Sequence, residues 1–252
     1  MSETAPKDPT TAFAEELAKQ LPVKAIYRDA VKPAARQVGQ IAQDIIKTIQ
    51  LALAPLQVAG AYQDRLRAFL DRAVRQVPED RRISPPPQIL GPIVEGIRYE
   101  PEDTSIDEMF RHLLSNSMDS EHSKDAHPAY PLLIKQLSSD EAKILQSLKN
   151  AQFEYVHTED YDQQTNLFHG HKIEIDNLPR DGLFYPENVA FYMQHLDKLG
   201  LAGVYQDGNQ EPLFLPGTRN QIGIRQRSKY RLTPFGDAFM RACSSIVDAT
   251  VA

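Results

Sequence analysis

The sequence predicts a mainly α protein in two parts: an N-terminal helical domain with a proline-rich strap, and a C-terminal α+β domain. Three observations predict it. Apolar residues recur every three or four positions from Val38 to Val77, the spacing of one helix face. Prolines crowd the stretch from Pro78 to Pro92, which favours extended backbone. From Phe153 onward apolar and polar residues begin to alternate, the period of a strand. At 252 residues the chain exceeds the roughly 100–200 of a typical domain. The boundaries read as a flexible tail with a short helix over 1–32, a helical domain over 33–137, and an α+β domain over 138–252.

The elements follow in order. Pro33 suits a first helical turn, and Val38, Ile41, Ile45, Ile49, Leu53 and Leu56 form the first apolar face. Pro55 lies inside that pattern and predicts a kink. The period resumes with Tyr62, Leu66, Phe69, Leu70, Ala73 and Val77, with Asp71 and Arg75 paired on the outer face. Ser84-Pro85-Pro86-Pro87 reads as polyproline strap or linker, and a short helix is expected from about Pro92 to Tyr99. Thr104 with Asp107, or Ser105 with Glu108, has the form of a capping box before Ile106, Met109, Phe110, Leu113 and Leu114. Pro128 opens another short helix.

Ser138-Ser139-Asp140-Glu141 starts the second part with a Ser-x-x-Glu cap. Phe153, Tyr155 and His157 and then His171, Ile173 and Ile175 read as the two strands of a long hairpin. Pro186 opens a helix with Val189, Tyr192, Met193, Leu196 and Leu199 inward, and Gly200 closes it. A last strand runs from about Ile222 to Leu232. Thr233-Pro234 caps a final helix with Phe235, Phe239, Cys243 and Ile246 on one side. The order of helix, strand, helix, wing-like hairpin and closing helix resembles a winged-helix domain. So do His195-Leu196-Asp197-Lys198-Leu199-Gly200-Leu201, placed like the end of a recognition helix, and Tyr230-Arg231-Leu232-Thr233-Pro234-Phe235-Gly236, placed like a wing strand entering the last helix. Such domains bind proteins as readily as DNA.

A second resemblance covers roughly residues 40–148. It is carried by Ser84-Pro85-Pro86-Pro87, Gly91-Pro92-Ile93-Val94-Glu95-Gly96-Ile97, Met109-Phe110 with Leu113-Leu114, Ser117-Met118-Asp119, His127-Pro128 and Leu137-Ser138-Ser139-Asp140-Glu141-Ala142-Lys143-Ile144-Leu145. Together these resemble the Abi-alpha family of bacterial abortive infection proteins. The resemblance implies a part in defence against phage. It brings no catalytic residues with it, and the winged-helix-like tail lies outside it.

Composition removes several function classes. Hydrophobic residues are 41% and charged residues 25% of the chain, ordinary globular usage. A net charge of −6 does not describe a general nucleic-acid binder. Cys243 is the single cysteine, which excludes an internal disulfide or a cysteine-built zinc finger. The first residues lack the form of a secretory signal, so a cytoplasmic location is expected. Thr48 to Gln63 is uncharged for 16 residues. That falls short of the roughly 17–25 of a membrane span, but it leaves open a conditional membrane contact by the amphipathic helix 38–77.

Three groups of residues stand out as candidate sites. Arg225, Arg227, Lys229 and Arg231 are two apart and would share a strand face; with Arg219 they could follow a phosphate backbone or a partner, or be a solvated strand face. The neighbouring helix pairs Asn188, Gln194, His195 and Lys198 with Glu187 and Asp197, a poor surface for entering a DNA groove. His169 and His171 would point to one side of a strand, and with His157 and a carboxylate such as Asp160 could hold zinc; plain surface histidines are the simpler account. His122 and His127 lie among Asp119, Glu121 and Asp125, where Asp125 or His127 would cap the helix at Pro128. No nucleophile elbow, phosphate loop or His-Glu-x-x-His occurs. Cys243 sits on an apolar helix face, and Ser115 and Ser117 have no base beside them in sequence.

The expected function is therefore non-enzymatic: a defence protein that senses or docks a protein or nucleic-acid partner, or its own copy, with no cofactor and no small-molecule substrate. Two alternatives remain at this level, a membrane-active effector using 38–77 and a winged-helix transcriptional regulator.

Overall fold

The computed structural model describes residues 60–245, with side chains from Asp64 onward. The tail over 1–32, the first apolar face, the Pro55 kink and Ile246 lie outside the described residues. The described chain divides into two compact units. One holds the residues up to Gln136 together with those from Arg241 on, and the other holds Leu137–Met240. The sequence reading kept 138–252 in one piece; the contacts assign the end of the last helix to the first unit.

The first unit is helical. Helix α1 (Gly60–Arg75) buries Leu66, Phe69, Leu70 and Ala73 on one face, as their spacing predicts. On its outer face Arg75 Nη2 meets Asp71 Oδ2 at 2.8 Å. Pro86 is extended at φ −59°, ψ 134°, but Pro87 already opens helix α2 (Pro87–Gly96). The expected helix from Pro92 to Tyr99 therefore begins one and a half turns earlier. Proline is tolerated in a first turn, where its missing N–H has no helical partner to lose. Pro92 lies inside α2, and Gly91 before it has no Cβ to crowd the proline ring.

Helix α3 (Ser105–Ser117) is capped by Thr104, whose hydroxyl accepts the Asp107 amide at 3.1 Å. The ring of Phe110 packs where a Cβ on Gly96 would stand, 2.4 Å away, so α2 and α3 approach closely at that point. The segment before α2 is tied along α3's exit: Ile83 N donates to Met118 O at 2.8 Å and Ser120 N to Arg81 O at 2.9 Å. Helix α4 (Tyr130–Ile134) completes the core with Tyr130 and Ile134.

The second unit is built on a sheet. Helix α5 (Ser139–Asn150) starts from a full capping box, with Glu141 N donating to Ser138 Oγ at 3.2 Å and Ser138 N to Glu141 Oε2 at 2.7 Å. Strands β1 (Phe153–Asp162) and β2 (Leu167–Asp176) form the expected antiparallel hairpin. Helix α6 (Val189–Lys198) buries Val189, Tyr192, Met193 and Leu196. Gly200 follows it at φ 71°, a backbone state that favours glycine. Strands β3 (Ala202–Gln206) and β4 (Glu211–Phe214) both pair with the long strand β5 (Gln221–Leu232), β3 with residues 228–232 and β4 with 221–225. They lie end to end along one edge of β5, and β1 takes the other edge.

Thr233 caps helix α7 (Pro234–Cys243), its hydroxyl accepting the Gly236 amide at 2.8 Å. Phe239 and Cys243 are buried as expected, whereas Phe235 is largely exposed.

The sheet overturns the expectation of a mainly α protein. It is five-stranded and antiparallel throughout, so the chain is an α+β mixture. The sequence understated it because β2 is an edge strand exposed along nearly its whole length, with no buried face to impose an apolar alternation.

Candidate functional site

The basic row on β5 lies on one side of the sheet, and acidic residues from the neighbouring strands meet it there. Arg225 donates to both oxygens of Glu174, reaching across β1 at 2.8 and 3.1 Å. Arg227 lies 3.3 Å from Glu211 and 3.6 Å from Glu154. Lys229 pairs with Asp207 at 2.8 Å. The Arg231 guanidinium stands over the Tyr205 ring, 4.9 Å from its centre, and Arg219 is exposed in the turn after β4. No acid interrupts the row in sequence; the acids come from β1, β2, β4 and the end of β3. Cross-strand charge pairing of this kind holds register and shortens the reach of the field.

The histidines divide between the two sides of the β1–β2 hairpin. Gly170 adopts φ 69° at a register shift, so that Thr158 pairs with Lys172 but Asp160 with His169. The extra residue breaks the alternation that would have put His169 and His171 on one side. His169 faces Asp160, whose carboxylate accepts from Lys172 Nζ at 2.8 Å, so neither joins the other histidines. His171 stacks near His157 with ring centres 4.2 Å apart. Glu159 stands between them, its Oε1 3.5 Å from His171 Nδ1 and 3.9 Å from His157 Nε2. Tyr155 Oη and His171 Nε2 share a hydrogen bond of 2.7 Å.

Burial pushes the His157 pKa down, His171 lowers it further, and Glu159 only partly opposes this. Its Nδ1 is buried without a hydrogen-bond partner. The ligand atoms of His157, Glu159 and His171 all lie within 4.8 Å of one another, a set that could hold a metal ion. Sequence reasoning missed Glu159. The signal was present in His157-Thr158-Glu159, two residues apart and hence on one strand face.

A third feature surrounds α5 and was not anticipated. The Asp140 carboxylate, 2% exposed, accepts the amides of Phe184 and Tyr185 at 2.8 and 2.9 Å and the Tyr192 hydroxyl at 3.1 Å. Burial pushes its pKa up, but the two amides, the hydroxyl and the Lys143 charge outweigh that and hold it below the usual carboxylate value. Lys143 also donates to Gly182 O and lies 4.5 Å from the centre of the Phe184 ring. The loop so pinned presents Phe184 at 71% and Tyr185 at 60% exposure, with Phe191 on α6 at 63%. Glu141 beside Asp140 is bonded to His195 Nδ1 at 2.6 Å.

The remaining candidates have local duties. His127 Nδ1 accepts the Ala129 amide at 3.1 Å, a bond within the turn before α4. The helix starts at Tyr130 rather than Pro128, and its N-cap Ala129 has no side-chain cap bond, so the expected capping by Asp125 or His127 is not made. Asp119 is buried against Arg81 at 3.0 Å and accepts the Glu121 amide. It lines a cavity of about 210 Å³ with His112, Ser115 and His122. Ser115 Oγ there is within bonding distance of the Ala73, Arg111 and Gln76 side-chain or main-chain carbonyl oxygens. Cys243 is fully buried and burial pushes its thiol pKa up, which keeps it protonated. Among the described residues no helix is long and apolar enough to cross a membrane.

The profile of the family described as abortive infection alpha matches residues 59–243. The chain belongs to that family. The match spans both units, so the Abi-alpha character includes the sheet and its histidines, beyond the stretch to residue 148 that carried the resemblance in sequence. Abi-alpha membership assigns the chain to abortive infection, a defence role. No curated protein and no solved structure matches the chain.

Proposed function

We propose that this Abi-alpha protein works without catalysis, as an adaptor that docks a protein partner through the exposed aromatic side chains of Phe184, Tyr185 and Phe191. The observation that carries the reading is Asp140. A buried carboxylate with three donors fixes a loop whose large side chains point outward. Aromatic side chains held in place before contact are the kind that dominate binding energy, because little freedom is lost when the partner arrives.

The catalytic alternative has less support, since Ser115 is engaged with carbonyl oxygens and the Cys243 thiol is buried. The regulator reading loses weight as well, because the basic row is met by carboxylates. The membrane reading depends on residues 38–77, of which 38–59 lie outside the described residues.

The test is phage plating with the chain expressed in a host it protects. Phe184→Asp with Phe191→Asp changes only exposed positions, so folding measured by circular dichroism should be kept while protection is lost. Undiminished protection by that folded variant would overturn the reading.

A further inference from the structure

We propose that His157, Glu159 and His171 form a binding site for a divalent zinc-class cation on the β1–β2 hairpin. The inference is independent of the docking face. Two imidazoles and one carboxylate are a donor set that zinc takes readily, with a remaining position left for water or another ligand. Tetrahedral zinc with bonds of about 2.0–2.2 Å puts its donors roughly 3.3 Å apart. The three ligand atoms, already within 4.8 Å, need to close by at most about 1.5 Å, which side-chain rotation supplies.

The surroundings of His171 are arranged for ligation. A ligating histidine is normally held by a hydrogen bond from its other ring nitrogen. Tyr155 Oη meets His171 Nε2 at 2.7 Å, so a proton on Nε2 leaves the Nδ1 lone pair directed toward Glu159. The Tyr155 hydroxyl oxygen accepts that proton's hydrogen bond through a lone pair. Glu159 stands between the two rings, its Oε1 3.9 Å from His157 Nε2 and 3.5 Å from His171 Nδ1. Lys172, the nearest lysine in register, is paired with Asp160 on the other side of the hairpin. The bulge at Gly170 brings His171 to Glu159 and removes His169 from the set.

The experiment is zinc titration of the untagged, metal-stripped full chain by calorimetry, with cobalt(II) absorption as a second reading of coordination. One zinc per chain is expected. Removing a ligand by His171→Ala, a half-exposed position that should fold, is expected to abolish the stoichiometric site, and Glu159→Gln to weaken it. Tyr155→Phe, which removes only the outer hydrogen bond, should cost about 10–100-fold in affinity. His169→Ala should bind as the natural chain does. Absence of stoichiometric zinc on the natural chain, equal binding by folded His171→Ala, or loss of binding in His169→Ala would each overturn the proposal.

Discussion

The Asp140 carboxylate accepts the Phe184 amide at 2.8 Å across 44 residues of chain. This bond and its companion to Tyr185 fasten the loop before α6 to the first turn of α5. Truncation by Asp140→Ala leaves three donors without their partner and should lower unfolding free energy by about 2–4 kcal/mol, read from urea denaturation.

The same carboxylate gives a pH dependence. Its folded pKa lies below its ordinary value of 3.8, so the unfolded chain binds the proton more readily. The stabilisation is present above about pH 4 and is lost as pH falls through the folded pKa. Asp140→Asn should be less stable at neutral pH and should lose less on acidification below pH 4. Parallel acid-unfolding curves for the two chains would contradict this.

The charge ladder predicts weak nucleic-acid binding. Arg225, Arg227 and Lys229 face Glu154, Glu174, Asp207 and Glu211. The natural chain should not retain duplex DNA at low salt. Glu174→Ala with Glu211→Ala exposes Arg225 and Arg227 and should create binding that weakens with salt, with a slope of about −0.9 for each phosphate neutralised. Gel-shift titration over a salt series measures both, and steep salt-dependent binding by the natural chain would contradict the pairing argument.

At Gly236 a Cβ would stand 1.8 Å from the Leu201 carbonyl oxygen. That atom is main chain and accepts the Thr233 amide at 3.0 Å, so it cannot swing aside as a side chain would. Gly236→Ala should cost about 3 kcal/mol or more and lower the melting temperature or prevent folding. A variant that melts with the natural chain would show that α7 shifts freely at its start.

Ser138→Ala removes one half of the capping box on α5. The expected loss is about 1 kcal/mol, measured by thermal or urea unfolding. Gly at the same position should cost less, since backbone freedom at a cap is tolerated.

The local grammar of the chain was legible in the sequence. Ser138 and Thr233 cap the helices their spacing predicts, and Thr104 is the one of two candidates (Thr104 or Ser105) that caps α3. The apolar face from Leu66 to Ala73 is buried, and the hairpin and the Gly200 stop stand where alternation and glycine place them. These depend on neighbours within about four residues, and short-range spacing encodes them directly. The weight of the sheet was underread because β2 has one neighbour and solvent on the rest, so its composition carries little apolar signal. The start of α2 was misread because prolines mark both an extended strap and a first helical turn.

The sequence by itself determined the family, the caps at Ser138 and Thr233, and most of the residues buried within each helix, with Phe235 an exception. Only the tertiary structure decided what the charged and titratable groups do. Arg225 finds Glu174 across an intervening strand, Asp140 finds Phe184 through a distant loop, and a single left-handed residue at Gly170 moves His169 away from His171. Each outcome turns on register between strands or on contacts tens of residues apart, where a shift of one position reverses which face a side chain occupies.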